Sequence, residues 1–234
     1  MDKIQAVILA AGRGTRMMPL TENSPKSMQE VLGRNLLEWK IEALPDEVDE
    51  VVMVIGYLGD AIKDFFGNEY HGKKIRYVHQ EELNGTGAAL WKAKELLHER
   101  FIVMMGDDLY GKSDVTAMLG YEWAIGGYRI KEGEATGGLI TKDESGNFAS
   151  ILEGDHQVTN GYINTNLLML RREIFTETLV KIPGRKEFGL PHTLLAYSKK
   201  VAVPLVEVKH WFQITAPEDL KNAEEFLKNE QHLQ

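Results

Sequence analysis

The sequence predicts an α/β fold, a three-layer α/β/α sandwich about a mostly parallel mixed sheet. Three observations carry that expectation. The first half alternates short continuous apolar runs with helical stripes. The second half changes to strand patterns separated by turn signals. A glycine-rich segment directly follows the first apolar run, where open α/β sheets build their binding loops.

In chain order, Ala6–Ala10, Val51–Ile55 and Phe101–Met105 read as strands buried on both faces, and Ile75–Val78 as another. Leu37, Ile41 and Leu44 form one helical stripe; Ala89, Leu90, Ala93, Leu96 and Leu97 form a second. This β-α-β order implies right-handed crossovers. After Asp108 the pattern changes. Glu122–Ile130, Gly138–Lys142, Phe148–Leu152 and Gly161–Leu170 read as strands, with Glu144-Ser145-Gly146-Asn147 as a turn. Short helical stretches near Glu173 and Leu190 and a strand pair around Val201–Val208 follow. Thr215-Ala216-Pro217-Glu218 has capping-box spacing and opens a last helix whose Ala216, Leu220, Ala223 and Leu227 share a face. No repeat, low-complexity tract or linker interrupts the 234 residues, which read as one domain, 1–234, with a change of character at about residue 108.

Composition bounds the function. At 43% hydrophobic and 26% charged the chain is an ordinary globular protein. No apolar stretch approaches the ~20 residues of a membrane span, and no basic-then-apolar segment opens the chain. There are no cysteines, which excludes disulfides, thiolate metal sites and a cysteine nucleophile. A cytoplasmic protein is expected, with no membrane partner. The net charge of -8 and the pI near 5.4 argue against nucleic acid, so a polyanionic ligand needs a local basic cluster. Arg13, Arg16 and Lys26 provide one.

That cluster lies in Ala10-Ala11-Gly12-Arg13-Gly14-Thr15-Arg16 and its continuation to Pro25-Lys26. Gly12 and Gly14 let backbone N–H groups close on phosphate oxygens as an anion nest. Met17 stands where a dinucleotide fingerprint needs its third glycine, and the Gly-Lys-Ser/Thr of a Walker A loop is absent. Arg16 adds a planar fork and Lys26 a flexible point charge, both suited to a polyphosphate. A bare Gly-x-Gly is equally that of a tight turn. Further on, Gln80 precedes Gly85-Thr86-Gly87-Ala88 at a helix start, and its amide can donate and accept at once, as reading a base edge requires. Gly106-Asp107-Asp108 ends a buried strand with two acids; such acids bind Mg²⁺ alongside phosphate oxygens, or simply cap or meet solvent. The seven histidines have no zinc spacing, and there is no Gly-x-Ser-x-Gly elbow. Met17, Met18, Met104 and Met105 read as packing residues.

The full string Leu9-Ala10-Ala11-Gly12-x-Gly14-Thr15-Arg16-Met17-x-Pro19-Leu20-Thr21-(x)3-Pro25-Lys26 resembles the signature of the sugar-1-phosphate nucleotidyltransferases, and the resemblance runs through most of the chain. It implies a Rossmann-like fold with a nucleotide-binding half to about residue 108 and a sugar-binding half over 109–234. Leu9, Ala11, Gly12, Gly14 and Thr15 would then hold the nucleotide. Arg16 and Lys26 would neutralise the α-phosphate and the leaving pyrophosphate. Gln80, Gly85 and Thr86 are similar to the base-reading segment of the uridylyltransferase domain of the bifunctional N-acetylglucosamine-1-phosphate enzymes, which favours UTP or dTTP. Asp107 maps to the family's first Mg²⁺ ligand. Thr136-Gly137-Gly138-Leu139, Ile151-Leu152-Glu153 and Tyr162-Ile163-Asn164-Thr165 look like its sugar-lining segments, with Gly138, Glu153 and Asn164 as contacts.

Two positions depart from that pattern. Gln213, after Trp211-Phe212, stands where the family places its second metal-binding acid, and Gly154 stands where many relatives carry a lysine near the sugar phosphate. The expected reaction is Mg²⁺-dependent transfer of a nucleotidyl group from a nucleoside triphosphate to a sugar 1-phosphate, releasing pyrophosphate. CTP-dependent activation of an alcohol phosphate such as phosphocholine, and a regulatory nucleotide-binding homologue, are the rivals. No hexapeptide-repeat segment follows the last helix in this sequence, so acetyl transfer is not expected. The oligomeric state is open, a homo-oligomer included.

Overall fold

The computed structural model describes residues 4–231. Its centre is β1 (Ile4–Ala10), in parallel register with β4 (Val48–Ile55) on one side and β7 (Arg100–Met105) on the other. β6 (Lys73–His79) extends the parallel set beyond β4. The short β5 (Glu69–Tyr70) closes that edge antiparallel to β6. All of β1 is buried, and its side chains part by alternation. Ile4, Ala6, Ile8 and Ala10 enter one core; Val7 and Leu9 enter the other. The first core is covered by α1 (Leu36–Ala43), α2 (Gly59–Phe66) and α4 (Lys112–Met118). The second is covered by α3 (Thr86–Ala93) and α5 (Leu190–Tyr197). Each fully buried Ile or Leu contributes about 1.5–3 kcal/mol by leaving water. The sheet is therefore sandwiched between two helical layers, as the continuous apolar runs imply.

The second half joins the same sheet. β12 (Gly161–Arg171) pairs antiparallel with β7 through Leu168–Arg171 and with β10 (Gly133–Lys142) through Tyr162 and Ile163. β9 (Ala124–Ile130) runs along the other edge of β12, and β13 (Leu205–Val208) lies parallel beside β9. β11 (Phe148–Val158) pairs with β10 at the sheet's far edge. The ten-stranded sheet is thus parallel around β1 and antiparallel beyond β7. Two short ribbons complete the strands: β2 (Glu30–Val31) with β3 (Arg34–Asn35), and β8 (Leu109–Tyr110) with β14 (Trp211–Phe212). Among the described residues no helix is long and apolar enough to cross a membrane.

Several boundaries differ from the sequence pattern for local reasons. β9 starts at Ala124 rather than Glu122, because Glu122 turns outward to pair with Arg100 and Arg171. β10 and β11 extend past the expected hairpin to Gly133 and Val158. Only Leu205–Val208 of the expected Val201–Val208 pair is strand; Pro204 cannot donate to a ladder, and its carbonyl instead receives Ile125 N–H. The stretch near Glu173 is a 3₁₀ turn, Arg172–Thr176. The last helix, α6 (Pro217–Gln231), starts at Pro217, and Asp219 rather than Glu218 reaches back to accept the Thr215 and Ala216 N–H groups. Its predicted stripe packs well: Ala223 and Leu227 join Met17, Val31, Leu36, Leu109 and Ile214 in a third core beneath the glycine-rich segment. The sequence reading missed α2 and the capping box of α1. In that box Asn35 Oδ1 accepts Glu38 N–H while the Glu38 carboxylate accepts Asn35 N–H.

Candidate active site

The carboxyl ends of β1, β4, β6 and β7 converge on a two-part cleft. The smaller chamber, about 200 Å³, is lined by Gly12, Gly14, Thr15, Arg16, Lys26 and Asp107, among others. The larger, about 410 Å³, opens beside it and shares Leu9, Gly12, Arg16 and Met105 with the first. All fifteen residues nominated from sequence line one chamber or the other: Leu9, Gly12 and Arg16 line both; Gly14, Thr15, Lys26 and Asp107 line the smaller; Ala11, Gln80, Gly85, Thr86, Gly138, Glu153, Asn164 and Gln213 line the larger.

The glycine-rich segment leaves β1 and tightens into a 3₁₀ turn, Thr15–Met17. Met17 is fully buried in the third core and anchors the turn from below. The buried Thr21 hydroxyl donates to the Gly14 carbonyl at 2.9 Å, folding the continuation back. A Cβ on Gly14 would lie 2.8 Å from the Lys26 Cβ, so the glycine is what lets the lysine segment close over the loop. Arg16 is exposed at the junction of the two chambers and has no ion-pair partner among the described residues. Arg13 turns away from both chambers, its guanidinium 5.7 Å above the Tyr57 ring. The basic cluster read from sequence therefore reduces to Arg16 and Lys26. Of the four methionines, Met17 and Met104 are core, Met18 is exposed and Met105 lines both chambers.

Lys26 is buried, and its ammonium donates to Asp107 Oδ2 and to the Ile214 carbonyl, each at 2.5 Å. Three distant segments thus meet at one nitrogen. Asp107 is held there because Gly106 N–H donates to the Leu9 carbonyl, fixing the end of β7 against the end of β1. Asp108 points the other way, into the protein, where Trp211 Nε1 donates to it at 3.1 Å. Burial and the neighbouring Asp107 charge raise its pKa to about 8. Facing this acidic pair from α1 is Lys40, fully buried, which burial pulls down to about 8 against the pull of Asp107 and Asp108. Sequence analysis missed Lys40 because its place in a helical stripe resembles an ordinary surface lysine.

At the far end, Gln80 is buried; its Nε2 donates to Asn84 Oδ1 and the Gly85 carbonyl. A carbonyl only accepts, so this contact fixes which end of the amide is nitrogen. Gly85 has φ +107°, and a Cβ there would lie 2.3 Å from the Phe188 carbonyl oxygen. The backbone of Phe188 packs against Gly85 in that space, Gly87 N–H donates to the Phe188 carbonyl, and the Thr86 hydroxyl accepts Leu190 N–H. Through these contacts the segment 182–189 is docked on α3, and it brings Arg185 and Glu187 to the wall of the larger chamber. Neither was nominated from sequence: Gly184-Arg185-Lys186-Glu187 has the composition of any polar turn.

Across the chamber, Gly138 on β10 and Glu153 on β11 are direct cross-strand partners. Asn164 sits where β12 slips register against β9, with its side chain paired to Asn166. Gly154 has φ +127°, a conformation lysine rarely adopts, so the departure from the family pattern is built into the backbone. Gln213 is exposed on the chamber wall. Among the described residues no three His, Cys, Asp or Glu cluster as a metal site. Asp107 is a single carboxylate open to the smaller chamber, which suits Mg²⁺ only in its habit of one or two protein oxygens plus substrate phosphates.

Comparison with known proteins bears on the family of the chain. The chain is 30% identical over 227 residues to the bifunctional protein GlmU of Methanocaldococcus jannaschii, covering 96% of this chain and 54% of that one. It thus spans about half the length of that relative. It is 30% identical to the UTP–glucose-1-phosphate uridylyltransferase AglF of Haloferax volcanii, covering 97% of this chain and 98% of that one. It is 27% identical to the D-glycero-alpha-D-manno-heptose 1-phosphate guanylyltransferase of Aneurinibacillus thermoaerophilus, covering 97% and 99%. The solved structure of apo UDP-glucose pyrophosphorylase matches with a TM-score of 0.81 at 19% identity over 98% of this chain and all of that one, a likeness of fold. The family described as Nucleotidyl transferase fits residues 5–230, and the chain belongs to it.

Proposed function

We propose that the protein transfers a nucleotidyl group from UTP or dTTP to a sugar 1-phosphate, releasing pyrophosphate. The observation that carries this reading is the pair of chambers joined at Arg16. One is a phosphate cradle of backbone and cations; the other is walled by a base-reading amide at one end and by Glu153 and Asn164 at the other. A triphosphate with its base in the larger chamber places its α-phosphorus near the junction, within reach of a sugar phosphate entering from the Glu153 side.

Chemistry of this kind needs positioning and charge neutralisation more than covalent help from the protein. The sugar-phosphate oxygen attacks the α-phosphorus in line, and the bond to the bridging oxygen of pyrophosphate breaks. Lys26 is held rigidly enough to place its charge against the departing phosphates, and Arg16 is free to swing between both phosphate groups. Asp107, with Gln213 as a neutral second oxygen, would hold Mg²⁺, which when bound neutralises phosphate charge. Arg185 stands in for the cation that Gly154 lacks.

The orientation of Gln80 bears on the base. Its Nε2 is committed to Asn84 and Gly85, which leaves Oε1 as the atom to meet a base. An acceptor there suits a ring N–H, present in uracil, thymine and guanine and absent from cytosine and adenine. The exocyclic amino group of cytosine or adenine can also donate to that oxygen, so the choice against CTP is left to the screen below. The relative named a UTP–glucose-1-phosphate uridylyltransferase supports the pyrimidine choice, whereas the guanylyltransferase relative keeps GTP as the competitor to test.

The test is a pyrophosphate-release screen crossing five nucleoside triphosphates with a panel of sugar 1-phosphates and phosphocholine, with and without Mg²⁺. Turnover is expected with UTP or dTTP and a sugar 1-phosphate. Turnover with phosphocholine, or with CTP alone, would refute the assignment. Binding without release from any pair would point instead to a regulatory homologue, the reading that Gln213 favours.

A further inference from the structure

We infer that His192, which sequence reading passed over, is a sugar-recognition residue that works jointly with Glu153; the inference rests on the reaction proposed above. His192 lies in the first turn of α5 and lines the larger chamber beside Gly138, Glu153 and Arg185. It is 93% buried, with 7% of its surface exposed. Among the described residues, neither ring nitrogen has a hydrogen-bond partner. Leaving a buried polar atom unpaired is costly, so such atoms in a packed wall call for a cause.

The surroundings are shaped for the ring. A Cβ on Gly189 would lie 2.4 Å from His192 Nδ1, so this glycine opens the space the imidazole occupies. The Nε2 atom faces Glu153 Oε1 at 3.7 Å, too far for a hydrogen bond. Less than 1 Å² of either ring nitrogen is exposed, so a ligand reaches Nε2 once the ring turns slightly towards the chamber; one hydroxyl oxygen then lies about 2.8 Å from both groups, accepting from Nε2–H and donating to the carboxylate. Burial lowers the imidazole pKa and Arg185 adds to that, against the opposing pull of Glu153. The neutral ring that results carries one N–H, which is what a bridged hydroxyl needs. The structure thereby assigns a specific substrate feature: a sugar hydroxyl read simultaneously by β11 and α5. A deoxy sugar at that position would leave two buried groups unpaired, the kind of loss that gives strong discrimination.

The test uses the full chain with UTP or dTTP and the 1-phosphates of glucose, galactose, mannose and N-acetylglucosamine, each with its monodeoxy analogues. For the sugar 1-phosphate that wild type accepts, one deoxy analogue should show kcat/KM at least about tenfold lower. In His192→Phe that gap should collapse to within about threefold and the KM for the sugar 1-phosphate should rise, while the KM for the nucleotide stays within about twofold. A second measurement needs no variant. The His192 imidazole NMR signal of wild type should shift on adding the accepted sugar 1-phosphate and not on adding its deoxy analogue. An undiminished gap in the variant, equal changes in both KM values, or an imidazole that does not respond to the sugar would overturn the inference. If wild type turns over none of the four sugars, the proposed reaction itself fails and takes this inference with it.

Discussion

Lys26→Ala removes the point on which the phosphate cradle is assembled, and its consequences separate into chemistry and stability. In the folded protein the ammonium joins residue 26 to Asp107 and to the Ile214 carbonyl, at 2.5 Å each, with only 9% of the residue exposed. Two unit charges about 4 Å apart at an effective dielectric near 20 attract by about 4 kcal/mol. A bound triphosphate already feels that attraction in its ground state, so only the part that grows as pyrophosphate departs lowers the barrier. Removing one preorganised donor of this type costs about 10²–10³ in kcat, or roughly 2.7–4 kcal/mol. The stability cost arises from the stranded Ile214 carbonyl and the unpaired Asp107, about 1–3 kcal/mol in total. For a chain of this size each kcal/mol lowers Tm by about 2–4 °C. The assay is pyrophosphate release at saturating substrates, with a thermal melt on the same preparation. Expected is a folded protein with a modestly lower Tm, partly retained nucleotide binding and turnover down by at least two orders of magnitude. Lys26→Arg should recover neither stability nor rate in full, because a rigid planar fork does not fit the geometry in which the compact ammonium donates to both partners. A folded Lys26→Ala protein with turnover within threefold of wild type would refute the role.

Three further perturbations test the supporting structure. Lys40→Met should lower stability, since it removes the buried cation that faces Asp107 and Asp108. The double variant with Asp108→Asn should recover most of that loss in urea melts, and additive losses would show that the two groups do not interact. Glu50 is buried on β4; burial pushes its pKa up, but hydrogen bonds from Lys74 and Gln5 outweigh this and leave it below the usual 4.5. Its stabilising contribution is therefore complete above that value and fades as pH falls through the lowered one. Glu50→Gln should melt earlier than wild type at pH 7 and converge with it in strong acid; parallel curves at all pH values would contradict the pairing. Gly85→Ala must displace the Phe188 carbonyl, which sits 2.3 Å from the new Cβ. It should raise the KM for both substrates, because the same segment carries Arg185, and unchanged kinetics would mean that this docking is irrelevant to the site.

What could be read from the sequence follows the physics of each element. β1, β4 and β7 are buried on both faces, so a continuous apolar run marks them without ambiguity. The glycine-rich segment was legible because a tight turn at the end of β1 needs particular residue types at particular steps. Arg13 shows the limit of that reasoning: charge within a motif does not say which way a side chain turns, and a nearby Tyr57 captured it. Lys40, Arg185 and His192 were not legible at all. Each owes its place to long-range packing: Lys40 to the acids at the end of β7, Arg185 to the docking of Phe188 on Gly85, His192 to the space left by Gly189. None of these has a local signature.

The two departures from the family pattern sharpen rather than dissolve the proposed reaction. Gly154 has lost more than a lysine side chain. With φ +127°, directly across from Gly137 at φ +124°, the β10–β11 ribbon adopts a path that most side chains resist. A Gly154→Lys reversion would therefore strain the backbone before it could supply a charge. Arg185, reaching the same chamber from an unrelated segment, supplies a cation without that strain. Gln213 is a different case: of the two acids at the end of β7, Asp107 is paired with Lys26 and Asp108 faces inward to Trp211. Restoring the carboxylate is thus the informative substitution. If Mg²⁺ is held between these positions, Gln213→Asp should lower the Mg²⁺ concentration at half-maximal rate, because a charged oxygen replaces a neutral one. An unchanged Mg²⁺ dependence would place the ion on Asp107 and the phosphates alone.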